Sequence, residues 1–314
     1  MFHSQPSVSF LGNFAAKELG IFKKLGLPPI KYYWENDSSQ KIEFLMQGNL
    51  DIINCWMAEG IQARSNGVPI VALALLPQKS SSCFMVRRDL DPTLIDLRSL
   101  QGRNVPIWAH YELTPLAFLA TQKIKINPVV QRAETNMLFN EGVVKSCFTT
   151  TYTHAFFCNY LEFRKDVQVF RFSDYGVDFP EQTCFCRESF MRNHPELCRK
   201  YILGVYMGWK EVVSNPDRGV EILSKYCEDA GILSNRFLLK KQLEIWLSLL
   251  DFKEDLSKNG SCTPERYQKL ADALVLSGAI EEKKKPEFKD FFFPIMEDHV
   301  YNKLQQAKKP ANSK

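Results

Sequence analysis

Five segments of this 314-residue sequence place aromatic and small polar side chains just past the ends of strand-like runs. Trp34 is followed by Glu35-Asn36-Asp37. Asn54 and Trp56 close the run that starts at Asp51. Trp108, His110 and Tyr111 follow the run after Gly102. Thr149 to Tyr152 follow the run after Val143, and Asp174-Tyr175 the run after Val167. Such a set suits a small, flat, partly polar ligand. An aromatic face stacked on a ring contributes about 0.5–1.5 kcal/mol per pair, while hydroxyl, amide and carboxylate groups fix its orientation.

Other chemistries find little support. No GxGxxG or GxxxxGK[ST] cradle, no GxSxG elbow and no HExxH occurs. Cys55 and Cys83 are candidate nucleophiles by residue type alone, and no His lies close to either in sequence. The nine cysteines form no CxxC pair and the five histidines are scattered, so no metal ligand set is expected and no cofactor is implied. Isolated cysteines are expected to be buried as small hydrophobes.

The elements that position these residues alternate. Residues 14–25 read as an amphipathic helix closed by Gly26 and stopped by Pro28-Pro29. Strands are expected at 30–34, 51–55, 68–75, 83–86, 102–108, 143–150, 167–172 and 184–187, with helices at 39–47, 56–65, from 115, and at 136–140 and 155–161. The apolar run Val68 to Leu75 suits a strand buried on both faces of a parallel sheet. The remainder is helical, at 195–213, 218–227, 236–249 and 264–277; Trp209 and Trp246 fall within the helical periodicity and are expected in a core. The last dozen residues read as a frayed tail. This βαβ rhythm predicts an α/β, doubly wound, two-lobed fold whose ligand site lies at strand ends.

Composition agrees. The chain is 45% apolar and 24% charged, ordinary for a folded globular protein, and its net charge of +4 comes from Lys and Arg spread along the whole length. Without a clustered basic patch, nucleic acid is not an expected partner. No apolar run reaches the about 18 residues of a membrane span. Met1 is followed by no basic start and no apolar core of a signal peptide.

The segment FHSQPSVSFLGNFAAKELGIFKKLGL resembles the opening motif of periplasmic-type substrate-binding proteins of the thiamine-pyrimidine synthase-like branch. MQGNLDI with ARSNGVPIVALA is similar to that family's second βα unit, and DLRSLQGRNVPIW to the entry of its second lobe. FSDYGVDFPEQT followed by NHPELCRKYILGVYMGWKEVVSNPDRGVEIL resembles the return segment and long helix. TPERYQKLADALVLSGAI is similar to the C-terminal helix. Nearly the whole chain is covered.

The resemblance implies a type II clamshell closing over its ligand by hinge motion. Lobe 1 would hold residues 1–85 and 187–314, and lobe 2 residues 86–186. Expected ligand contacts are Phe10 and Asn13 in the first loop, Trp34, and Trp56 and Trp108 sandwiching a ring with Tyr152 and Tyr175 at its edges. Asn54, Glu59 and Asp174 would supply hydrogen bonds, and a carboxylate there would favour an aminopyrimidine over a sulfonate. The implied function is capture of a thiamine-pyrimidine-like ligand for an ABC importer, by a monomer that partners a permease. The alternative is the family's single-turnover pyrimidine synthase, which uses a Lys-bound pyridoxal phosphate and a His. Those positions fall on Cys55 and Glu59, and a thiol forms no Schiff base, so a binder is expected. Met1-Phe2 aligns just after the family's first strand, so the chain is expected to begin one strand late. Periplasm is the expected location, with cytoplasm as the alternative.

Overall fold

The computed structural model describes residues 2–3, 6–34, 40–131, 135–153 and 166–308. Ten strands lie among them: β1 (Phe2–His3), β2 (Tyr33–Trp34), β3 (Ile52–Trp56), β4 (Ile70–Leu75), β5 (Ser82–Arg87), β6 (Asn104–Trp108), β7 (Asn127–Gln131), β8 (Ser146–Thr150), β9 (Val167–Arg171) and β10 (Gln182–Arg187). Packing divides the chain into two units. The first holds Met1–Gln78, Pro180–Pro264 and Pro286–Lys314, and the second Lys79–Phe179 and Glu265–Lys285. The expected helix at 155–161 lies outside the described residues.

The first unit is built on a five-stranded sheet of order β2-β1-β3-β10-β4. The two residues of β1 pair in parallel with β2 and β3, holding the place between them. The sheet is mixed, where an all-parallel one was expected. β10 runs antiparallel between β3 and β4, because the chain reaches it from the second unit rather than through a right-handed crossover helix. β4 is buried along its whole length, as its apolar run predicts. Gly60, in helix Met57–Ser65, lets that helix close on the sheet: a Cβ there would lie 2.4 Å from the Phe185 ring.

On the other face, helix Leu11–Glu18 packs against the 20-residue helix Pro195–Ser214. Their backbones meet at Gly12 and Gly208, where a Cβ on Gly208 would sit 2.0 Å from the Gly12 carbonyl oxygen. The helix expected over 14–25 is split into Leu11–Glu18 and Ile21–Lys24, since Gly20 takes a left-handed φ of 67°. Trp209 and Trp246 are buried together with ring centroids 6.4 Å apart, as expected of core residues.

The second unit carries β8-β5-β9, antiparallel throughout, and the parallel pair β6–β7. Phe118, from helix Leu113–Thr121, stacks on Phe172 at 3.7 Å in its core. β7 escaped the sequence reading: its residues are exposed on both faces and include Pro128, so no alternation marks it. β8 begins at Ser146 rather than Val143, which is largely exposed. Of the last dozen residues, expected to fray, 303–308 belong to helix Asp298–Lys308 and 309–314 lie outside the described residues. Among the described residues no helix is long and apolar enough to cross a membrane.

Candidate functional site

In the first unit three of the candidate residues, Asn54, Trp56 and Glu59, lie together where β3 ends. Trp56 is half-buried and serves as the N-cap of helix Met57–Ser65 in extended conformation. Glu59, three residues on, turns back so that its Oε2 accepts the Trp56 N–H at 3.2 Å. The same oxygen meets Lys41 Nζ at 3.2 Å, and the two side chains are only 11% and 6% exposed. Oε1 of Glu59 is buried with no partner among the described residues. Met57 N–H donates to the Glu181 carbonyl at 2.8 Å, tying this turn to the start of β10.

Register then adds neighbours. Asn54 faces Cys184, and Trp56 faces Gln182. Directly opposed residues share a face, and so do residues two apart along a strand, so these four side chains lie on one face of the sheet. Asn54 Oδ1 accepts from Cys184 Sγ at 2.8 Å, whereas Asn54 Nδ2 and Gln182 Nε2 are buried with no partner among the described residues. Phe10 is half-buried at the N-cap of helix Leu11–Glu18. Asn13 is fully buried; its Nδ2 donates to Tyr201 Oη at 2.8 Å and its carbonyl accepts from Tyr32 Oη at 2.7 Å, so its amide ties two helices together. Trp34 lies on β2 in register with His3.

The second unit repeats the pattern. Trp108 ends β6 half-buried, edge-on to Tyr111 at 6.2 Å, and faces Gln131 at the end of β7. His110, at φ 70°, makes the turn between the two aromatics. Trp108 Nε1, Gln131 Oε1 and Thr151 Oγ1 are buried with no partner among the described residues. The Thr150 and Thr153 hydroxyls are 2.7 Å apart, Thr151 N–H donates to Ser81 at 2.8 Å, and the half-buried Tyr152 follows. Asp174 is exposed and folded onto its own turn: its Oδ2 accepts the Arg171 N–H at 3.3 Å and faces that residue's guanidinium at 3.9 Å. Tyr175 packs edge-on against Phe118 at 5.8 Å, and burial, with the Asp96 carboxylate nearby, raises its hydroxyl pKa.

Burial, reinforced by Glu59, pushes the Cys55 thiol well above its ordinary range, so it supplies no thiolate at neutral pH. All eight described cysteines are buried. No group of three His, Cys, Asp or Glu side chains is placed to hold a metal ion among the described residues. A cavity of about 640 Å³ opens beside β9, lined by Arg88, Asp89, Pro92, Asp166 and residues of that strand, and contains none of the expected ligand contacts.

Sequence reading missed Gln182 and Gln131, whereas Thr151 lies in the Thr149 to Tyr152 segment it singled out. A glutamine within a strand carries no signal until its cross-strand neighbour is known, and here each neighbour is a tryptophan.

The architecture is that of periplasmic binding proteins. The alkanesulfonate-binding protein of Xanthomonas axonopodis pv. citri bound to MOPS is similar at a TM-score of 0.68 and 11% identity, over 93% of this chain and 99% of that one. The periplasmic nitrate-binding protein of Synechocystis PCC 6803 is similar at 0.69 and 12%, over 98% and 88%. A Candida albicans protein described as having the generic periplasmic binding protein fold is similar at 0.66 and 13%, over 98% and 94%. No curated protein matches the sequence. Residues 7–219, more than half of the chain, match the family described as NMT1/THI5 like, and the protein belongs to that family.

Proposed function

We propose that this protein is a solute-binding protein that captures a small, flat, thiamine-pyrimidine-like ligand at the strand ends of its units and delivers it to an ABC importer. One observation carries the reading. Buried polar atoms without partners among the described residues lie beside two half-buried tryptophans, Asn54, Glu59 and Gln182 beside Trp56, and Gln131 beside Trp108. Buried polar groups in folded proteins are nearly all hydrogen-bonded, so such a concentration marks groups matched to something outside the fold.

Charge narrows the ligand. Lys41 neutralises Glu59, and the other groups named are uncharged amides and two indoles. A neutral heteroaromatic ring suits this set better than the anions, alkanesulfonate and nitrate, in the names of the structural neighbours. Tyr152, which follows β8, is assigned to the ligand site by the resemblance. Asp174, Tyr175 and Asn13, engaged in contacts of their own, play secondary parts. The periplasm as compartment, a permease as partner and a monomeric state follow from this reading.

The enzyme alternative is disfavoured by the same residues. Cys55 and Glu59 stand where the resemblance puts the synthase's Lys and His, and the nearby ammonium of Lys41 is engaged by Glu59. Isothermal titration of 4-amino-5-hydroxymethyl-2-methylpyrimidine into the wild type, Trp56→Ala and Trp108→Ala tests the binder reading. Each substitution is expected to weaken binding about ten-fold, from about 1.4 kcal/mol of lost stacking and burial. Unchanged affinity in both variants refutes the stacking arrangement, and a Schiff-base absorbance band on adding pyridoxal phosphate favours the enzyme.

A further inference from the structure

We infer that the outer edge of β9, in the second unit, is a docking site for an extended acidic segment of a partner protein, which adds to the sheet as a further strand. β9 is the end strand of the β8-β5-β9 sheet. The ladder decides which of its main-chain groups are in use. Arg87 N–H donates to the Lys145 carbonyl, on the β8 side, whereas Arg88 N–H donates to the Asp166 carbonyl, on the β9 side. Hydrogen-bonded and non-hydrogen-bonded pairs alternate along an antiparallel ladder. Asp166, Gln168 and Phe170 are therefore spent on β5, and the N–H and C=O of Val167, Val169 and Arg171 point away from it. Arg171 agrees, since its N–H turns out to the Asp174 carboxylate at 3.3 Å. The main-chain groups of Val167 and Val169 have no partner among the described residues.

The same edge lines a cavity. Val167, Gln168, Val169 and Arg171 border the space of about 640 Å³. Neighbouring residues of a strand point to opposite faces, so a single space that touches all four runs along the backbone edge. Natural sheets blunt such edges with lysine, proline or a bulge. β9 reads VQVFR, carries none of these, and keeps its register with β5 over its whole length. Val167 and Val169 are partly buried against Cys83 and Met85, so water reaches their open groups incompletely.

Charge says what kind of segment fits. Arg88 and Arg171 both line the space, and Arg88 lies opposite Asp166, so the two are separated along the strand by about 17 Å of backbone. Of the two carboxylates in the lining, Asp89 has both oxygens held by the guanidinium of Arg87, which is 3% exposed. Asp166 is left against two guanidinia. Arg171 meets Asp174 at 3.9 Å with both side chains about half exposed, a pair that water screens. An extended segment with an acidic residue at each end and β-branched residues between satisfies the edge and both guanidinia. The β9 edge of a second copy brings the same two guanidinia and fits poorly.

The test uses the full chain and the fluorescein-labelled probe Glu-Val-Thr-Val-Thr-Glu, read by fluorescence anisotropy. Binding is expected, with the counterpart Lys-Val-Thr-Val-Thr-Lys about ten-fold weaker or more. Val169→Pro removes an outward N–H and leaves the β5 ladder intact, at a place where edge strands accept proline. Arg88→Glu combined with Arg171→Glu reverses the two guanidinia at exposed positions. Each variant is expected to bind the acidic probe about ten-fold more weakly, and the charge variant to keep the wild-type unfolding midpoint. The inference is overturned if the wild type leaves the probe unbound at about 1 mM, if the lysine peptide binds as tightly, or if either folded variant binds like the wild type. Self-association in sedimentation that Val169→Pro abolishes also overturns it, since the edge then belongs to a second copy.

Discussion

Lys41 and Glu59 form an ion pair in a place where water screens it poorly, and its removal is the most quantitative test of how the end of β3 is built. The atoms are 3.2 Å apart and the side chains 6% and 11% exposed. At an effective dielectric constant of about 20, the attraction is about 5 kcal/mol, and much of it is offset by the desolvation of both groups. Replacing the lysine alone, as Lys41→Met, leaves the Glu59 carboxylate buried against the Trp56 N–H without its counter-charge. Breaking a buried pair in this way costs about 3–5 kcal/mol. For a unit of this size, with about 2–4 °C per kcal/mol, the unfolding midpoint should fall by about 6–20 °C. Adding Glu59→Gln removes the stranded charge and keeps an amide oxygen to accept the Trp56 N–H, so the double variant should recover most of the loss. Differential scanning calorimetry of wild type, both single variants and the double variant closes the cycle, with a coupling energy of about 2 kcal/mol or more expected. Equal midpoints for Lys41→Met and the double variant would refute the argument, since the carboxylate would then be solvated without its lysine.

Other consequences are as direct. In the second unit the Thr93 hydroxyl, followed by the Arg103 guanidinium at 2.6 Å, holds the Asp91 carboxyl at about 2 against an ordinary value of 3.8. The folded state therefore binds this proton less readily than the unfolded chain, so Asp91 adds stability that is complete above about pH 4 and lost as the pH falls toward 2. Unfolding midpoints measured between pH 5 and 2 should decline less steeply in Asp91→Asn, and an unchanged slope would remove Asp91 from the account. Gly208→Ala should destabilise the first unit by about 3 kcal/mol, because the added carbon meets the Gly12 carbonyl and the Ala16 nitrogen, both backbone atoms. Thermal unfolding checks this, and a midpoint equal to wild type would mean the two helices can part without cost.

Much of the architecture was legible without coordinates. Helix Pro195–Ser214 was expected within a residue of its observed ends, because its N-terminal proline and its spacing of Tyr201, Val205 and Trp209 are local signals. β4 was legible as an unbroken apolar run, and the aromatic residues past the ends of β3 and β6 drew attention to Trp56 and Trp108. The resemblance to periplasmic-type binding proteins, read from motif order alone, matches the fold and family.

Other features had no local signal. Nothing within Gln182–Arg187 says that the strand lies antiparallel between β3 and β4, since its partners stand more than a hundred residues earlier and hydrogen-bonding register leaves no trace in one strand's residues. The same pairing carries Gln182 to Trp56, and β7, silent in the sequence, carries Gln131 to Trp108. Likewise, no residue pattern reveals that Asn13 is spent on Tyr201, that Asp174 folds onto Arg171, or that Lys41 neutralises Glu59. Periodicity and capping depend on neighbours a few residues apart, and the sequence by itself determined those elements and the aromatic groups at their ends. Which polar atoms those groups meet depends on long-range pairing and burial, and only the tertiary structure decided that.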